Sequence, residues 1–165
     1  MTSHYLTKFL NFDKLLLYLQ MFAMVHFKMK VLGLHCNHIW YRVGTPSIGE
    51  DTSLLGKEWS CDSCVIILVH VEKEDEKRPN EMARRLRKFS IWFARLNEVD
   101  KIVLHSFAHL SESKADPEVA RQIIEKAYKG IIERGYNAHL TPFGYFLELK
   151  LHISDRTSSR VFKSL

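Results

Sequence analysis

The sequence predicts one α/β domain, a mixed β-sheet with two main helices packed on it. Three observations lead there. Residues 64–71 form an eight-residue apolar run rich in Val and Ile, as short and β-branched as a central strand. Two segments that open with Pro79 and Pro117 repeat apolar residues at helical spacing. After Gly144, the residues Tyr145, Leu147, Leu149, Leu151 and Ile153 alternate with Phe146, Glu148, Lys150 and His152, the period of a strand with one buried face.

Regular patterning begins at Met29. Residues 31–35 read as a buried strand and 38–43 as a second, with Cys36-Asn37 as a tight hairpin connection. Residues 44–60 hold three glycines, a proline and several hydroxyl side chains, the composition of a long excursion. The central strand follows, and then the charge run 72–77, which reads as solvated. On the helix from Pro79, the residues Met82, Leu86, Phe89, Phe93 and Leu96 form a core stripe, while Arg84, Arg85, Lys88 and Arg95 occupy other faces. The basic positions Arg84, Arg85, Lys88, Arg121, Lys129 and Arg134 read as solvated helix faces, with guidance of a nucleic acid as the alternative. Residues 101–107 form a strand. The second helix has Asp116 as N-cap and Pro117 at its first position, carries Val119, Ile123, Ala127 and Ile131, and stops at Gly135. Strands follow at 137–141 and 144–153. This series gives a single layered domain.

With 165 residues, 46% hydrophobic and 26% charged, the chain suits one domain able to bury a core. A net charge of +5 favours polyanions as partners without requiring them. Cys36, Cys61 and Cys64 are too few, and odd in number, for a disulfide framework, which points to a reducing cytoplasm. Residues 1–28 differ from the rest. Their apolar run 15–27 is shorter than the roughly 20 residues that cross a bilayer, and no small-residue cleavage pattern follows it. No membrane span is expected. The favoured reading of 1–28 is a leader upstream of a natural start at Met29, and the alternative is an added helix. Residues 29–153 form the domain, and the polar tail 154–165 a linker.

No G-x-G-x-x-G, Walker loop or internal repeat occurs. Cys61-Asp62-Ser63-Cys64 has C-x-x-C spacing, but no second ligand pair stands in register. It reads as two small apolar residues at a strand entrance, and no metal is expected. His35-Cys36-Asn37-His38 would point its ligands in different directions along a strand. Without a G-x-S-x-G elbow, Ser106 and His109 are merely near each other in sequence. What remains is a pair of strand ends, Ser106-Phe107-Ala108-His109-Leu110 and Thr141-Pro142-Phe143-Gly144-Tyr145, whose loops can wall a small pocket. Main-chain N–H groups there suffice to stabilise an oxyanion while water attacks an activated ester.

Several segments, in order, resemble the N-terminal editing domain of archaeal threonyl-tRNA synthetases. They are Met29-Lys30-Val31-Leu32 with His35, Val71-Glu72-Lys73, Phe107-Ala108-His109-Leu110-Ser111, the Pro117 helix start, Glu133-Arg134-Gly135-Tyr136-Asn137, and Pro142-Phe143-Gly144-Tyr145. The resemblance spans about 29–153. It implies a fold like that of D-aminoacyl-tRNA deacylase, and hydrolysis, without a cofactor, of serine wrongly attached to the tRNA for threonine. As partners it implies that tRNA, through its 3′-terminal aminoacyl-adenosine, and a threonyl-tRNA synthetase catalytic body in cis or in trans, toward which 154–165 would lead. A homodimer suits the edge strands and the apolar leader. Ala108 and His109 would stand at the reaction centre, with the water activated with help from the RNA ribose hydroxyl and backbone groups. His35, Val71, Ser106, Phe107, Phe143, Gly144, Tyr145, Phe146 and Leu147 would face the substrate.

The chain also departs from that family. After the P-F-G-Y turn the family continues with Tyr and Lys, where this chain has Phe146 and Leu147. Asn37 stands for an Asp, Ser106 for a Pro, and no G-H-P-L-x-E-L segment follows the last strand. Each lost polar partner costs about 1–3 kcal/mol, so substrate discrimination should suffer before the fold does. Two alternatives follow. One is a non-catalytic module of the same fold that binds tRNA or braces a synthetase, and the other is a free-standing D-aminoacyl-tRNA deacylase.

Overall fold

The computed structural model describes residues 28–165. The expected leader or helix at 1–28 therefore lies, but for Lys28, outside the described residues. Strand β1 (Lys30–Pro46) pairs antiparallel with β2 (Glu58–His70). A 3-10 turn (Lys73–Lys77) and helix α1 (Pro79–Leu96) then cross back to β3 (Lys101–Ser106), parallel to β2. Helix α2 (Pro117–Ile132) makes the second crossover, to β4 (Asn137–Leu140), parallel to β3. A parallel neighbour needs a crossover of this length, which is why helix and strand alternate here. β5 (Tyr145–Ile153) and β6 (Arg160–Ser164) both return antiparallel to β1, one along its second half and one along its start. The sheet order is β4-β3-β2-β1-β5, with β6 beside β1. The mixed sheet, its two main helices and its central strand agree with the sequence reading.

From Cys64 to Val69 the central strand is apolar without a break because both faces of β2 are covered. Val65, Ile67 and Val69 pack with Leu86, Phe93, Ile123 and Ile131 of the helices. Cys64, Ile66 and Leu68 pack on the opposite face with Leu34, Ile39 and Val103. Each such side chain stabilises the fold by roughly 1.5–3 kcal/mol when fully buried. α2 is capped as its sequence dictates. The Asp116 carboxylate accepts the N–H groups of Glu118 and Val119, and Gly135 takes the left-handed conformation just past the end.

Six features differ from the sequence reading. The expected hairpin at Cys36-Asn37 is instead a bulge within one continuous strand, where the register against β5 slips between Cys36 and His38. The extra residue changes the strand's parity, so that Cys36 and Ile39 are buried on the same face. The excursion is shorter than 44–60, since β1 pairs through Arg42 with Glu58 and ends only at Pro46. Cys61 and Cys64 consequently lie inside β2 rather than at its entrance. The charge run is only partly solvated, because Glu72 and Asp75 are buried and Asp75 Oδ2 accepts the Glu72 N–H at 2.8 Å. Burial raises the Asp75 carboxyl above the ordinary range. Leu96, at the last position of α1, is exposed, while the adjacent Asn97 is buried and donates to the Phe93 carbonyl. Finally, residues 160–164 of the expected linker form β6, and Leu165 N–H donates to the Met29 carbonyl at 2.9 Å.

Candidate functional site

Two strand tips meet at one end of the sheet. At the tip of β3 the Phe107 N–H still bonds the Val69 carbonyl at 2.8 Å, after which the chain turns sharply, with His109 N–H donating to the Phe107 carbonyl at 2.8 Å. The turn is held from beneath by His70, the fully buried last residue of β2. Its Nε2 lies 2.6 Å from the Ser113 carbonyl and must donate, while its Nδ1, 3.1 Å from the Leu110 amide, accepts. Those two contacts fix one neutral tautomer. Ala115 N–H, bonded to the Val71 carbonyl, closes the loop before α2. Phe107, His109 and Leu110 amides are thus all engaged. The Ala108 amide has no partner among the described residues.

The second tip follows β4. Thr141 N–H bonds the Leu104 carbonyl and its Oγ1 lies 2.8 Å from Nδ1 of the buried His105, tying β4 to β3. Desolvation pushes the His105 imidazole down to about 4, so it is neutral at physiological pH. Gly144 adopts φ +83°, the left-handed region that favours glycine. Its carbonyl accepts the amides of Ser47 at 2.8 Å and Ile48 at 3.2 Å, so the β1–β2 loop anchors this turn.

Between the tips lies a cavity of about 440 Å³, within the range that small ligands occupy. Of the residues expected at the site, Val71, Ser106, Phe107, Ala108, His109, Phe143, Gly144, Tyr145, Phe146 and Leu147 all line it. Val71 is buried, Ala108 and His109 are exposed at the surface, and Phe146 is 60% exposed. The rings of Phe107 and His109 meet edge to face at 5.2 Å.

His35 is the exception. It does not line the cavity. It is buried, with Nδ1 2.7 Å from Ser154 Oγ, and burial, helped by the nearby Arg156, lowers its pKa. Its alternation in β1 sends it toward the chain that follows β5 and away from the tips. Sequence reasoning missed His70, His105 and Lys114, of which all but His70 line the cavity. A histidine closing a β-branched run was the available signal, since a buried imidazole needs partners.

The two buried thiols offer no nucleophile. Cys36 and Cys64 pair across β1 and β2, and burial pushes Cys36 up to about 11 and Cys64 higher still. Among the described residues no three His, Cys, Asp or Glu side chains converge to hold a metal ion, and no helix is long and apolar enough to cross a membrane.

The description "Archaea-specific editing domain of threonyl-tRNA synthetase" belongs to a family model that matches residues 29–165. Threonine--tRNA ligases of Pyrococcus furiosus and Pyrococcus horikoshii are 33% and 34% identical over 125 residues, 74% of this chain and 20% of each relative. That of Methanocaldococcus jannaschii is 29% identical over 139 residues, 83% of the chain and 22% of the relative. The chain thus spans about a fifth of the length of these relatives. A solved structure titled "c-Myc DNA Unwinding Element Binding Protein" shares the fold, with a TM-score of 0.57 at 14% identity over 82% of this chain and 98% of its own. The family match runs from the first residue of the core through β6 and takes in both strand tips, and the chain therefore belongs to the archaea-specific editing-domain family of threonyl-tRNA synthetases.

Proposed function

We propose that the strand-tip cavity receives the 3′-terminal aminoacyl-adenosine of a tRNA and hydrolyses its ester, with seryl-tRNA specific for threonine as the substrate. The observation that carries this reading is the amide of Ala108, a residue of the cavity wall whose N–H has no partner among the described residues. Water adds to the ester carbonyl and creates an oxyanion, which needs a donor about 2.7–3.1 Å away. The Ala108 N–H supplies it. The bond to the ribose oxygen then breaks, that oxygen leaves with the water's proton, and the neighbouring ribose hydroxyl helps to relay it. The products are free serine and tRNA. His109, exposed beside Ala108, offers its imidazole to the terminal nucleotide, and Phe107 and Phe143 supply apolar surface for it. Family membership and the deacylase-like fold implied by the sequence support the reading. In it the domain acts in cis or in trans with a synthetase body.

The test is deacylation of seryl- and threonyl-tRNA for threonine by purified protein. Faster loss of the seryl ester than in buffer, with the threonyl ester spared, is expected. Equal stability of both esters in protein and in buffer overturns the proposal. One observation favours a second reading, a non-catalytic module that binds the acceptor end. Leu147 is an apolar wall residue and Phe146 an exposed one, and neither offers a hydrogen bond to a serine hydroxyl or a water. This module binds an uncharged acceptor stem without turnover. Including D-aminoacyl esters in the same assay separates a D-aminoacyl-tRNA deacylase from both.

A further inference from the structure

The basic residues of α1 read as solvated in the sequence, but the fold gathers some of them into a groove. Arg84, Lys88 and Trp92 recur every four residues and so form one stripe along the helix. Edge strand β6 runs beside that stripe. Val161 packs into the helix-side core, and Lys163, two residues on and hence on the same face of β6, reaches over α1 with Nζ 5.8 Å from the Trp92 ring centroid. Arg84, Arg85, Lys88, Trp92 and Lys163 line a concavity of about 520 Å³, floored by Phe89 and Leu165.

Among the described residues no acidic side chain lines this groove. The Arg85 guanidinium is paired with Glu81. Among the described residues, Arg84, Lys88 and Lys163 have no carboxylate within ion-pair distance. Three cations without an ion-pair partner in one concavity repel one another, and an anion placed among them relieves that repulsion. Trp92, at the end of the stripe and beside Lys163, is 46% exposed. Cations along a groove with a partly exposed indole suit a nucleic-acid strand, whose phosphates meet the charges while a base or ribose packs on the open part of the ring.

We propose that the groove between α1 and β6 is a second RNA contact, which binds phosphodiester backbone while the 3′ end of the same RNA lies at the strand tips. The assignment of a tRNA rests on the functional reading above. The groove itself does not, for it shares no residue with the strand-tip cavity.

Binding of uncharged tRNA to the full chain, followed by fluorescence anisotropy between about 50 and 200 mM salt, tests this without any turnover. The double variant Lys88→Gln/Lys163→Gln is expected to lose roughly tenfold or more in affinity at low salt. Its slope of log K against log salt should fall by about 0.7–0.9 for each phosphate contact removed. Lys129→Gln/Arg134→Gln, on α2 and the turn after it, serves as the control and should change the slope by less than half as much. Hydrolysis of a minimal aminoacyl-adenosine ester, which is too short to reach the groove, should be unchanged in the Lys88/Lys163 variant. An unchanged affinity and slope in that variant overturns the proposal. So does an equal loss in the control, which makes the attraction diffuse, or a loss confined to binding an acidic protein segment with RNA binding intact. A chain that hydrolyses no ester but shows the slope change leaves the groove standing and removes only the enzymatic reading.

Discussion

The two walls of the cavity are built by different physics. The 107–113 turn is propped by a side chain, the buried His70 imidazole bridging Leu110 and Ser113. The 142–145 turn is held by main chain, with a left-handed Gly144 whose carbonyl takes two amides from the β1–β2 loop. A wall set by one imidazole is sensitive to truncation of that side chain, whereas a wall set by backbone is sensitive mainly to a Cβ. The difference matters because the Ala108 amide we assign to catalysis sits on the first wall.

The largest expected effect is therefore His70→Ala. It leaves a half-buried amide and a half-buried carbonyl without partners and opens a void where the buried imidazole stood, for a loss of about 3 kcal/mol. Thermal unfolding should drop by roughly 6–12 °C. Amide exchange should accelerate at 108–113 more than at 142–145, and deacylation should fall with it. Equal acceleration of both turns would show that His70 supports the whole end of the sheet and not one wall.

Next comes His105, which joins the walls through Thr141. Its pKa in the fold is about 4, below the ordinary 6.5, because burial penalises the cation. The unfolded chain therefore takes up a proton first as pH falls. The stabilisation is fully present above 6.5, is lost progressively between 6.5 and about 4, and changes no further below that. One proton over that window is worth about 1.4 kcal/mol by pH 5.5. His139, also pushed down to about 4 by burial, acts with the same sign. His105→Asn, which keeps a hydrogen-bonding side chain but does not titrate here, should flatten the decline in melting temperature between pH 7 and 5.5. A decline as steep as that of the parent would assign it to other groups.

How much of this was legible in the sequence follows from how far apart the interacting residues lie. The central run announced β2 because burial on both faces demands an unbroken apolar segment. The Asp116-Pro117 start of α2 was legible because a cap is a local interaction, within three residues. The two tips were legible as turns for the same reason. His70 and His105 were not, since their partners lie 40 and 36 residues away. β6 escaped notice because main-chain bonds to β1 hold it and only Val161 faces the core from it. A bulge at Asn37 and a hairpin there call for similar residues, and only the pairing with β5 separates them. His35 was carried to the site by resemblance alone, and its bond to Ser154, 119 residues on, places it elsewhere.

On the main-chain wall, Gly144→Ala tests the contrast. A Cβ there would stand 3.5 Å from Ile48 Cβ, an ordinary contact, so the cost is conformational, about 1–2 kcal/mol for holding an L-residue left-handed. Gly135→Ala, also left-handed and in open space, should cost about the same. The two should melt within about 2 °C of each other, with only Gly144→Ala slowing deacylation. If both slow it equally, the loss tracks stability and not the shape of the wall.

The smallest effect on the fold is expected from Leu147→Lys. Leu147 is half-buried on the cavity side of β5, and a lysine there can extend its ammonium into the mouth while its stem keeps the apolar contact. The stability change should stay under about 1 kcal/mol. The kinetic outcome then discriminates between the two readings of the site. If the Ala108 amide and the RNA ribose carry the reaction, the rate on the seryl ester should change by less than about threefold, because the oxyanion donor is untouched. If the parent is a binding module that lost its polar contacts, the variant should gain turnover, or gain discrimination between seryl and threonyl esters. A restored hydrogen bond to a substrate hydroxyl makes that gain as large as ten- to a hundredfold. A gain of that size from this one side chain would mean that the apolar wall, and not the backbone turn, had been the limit on activity.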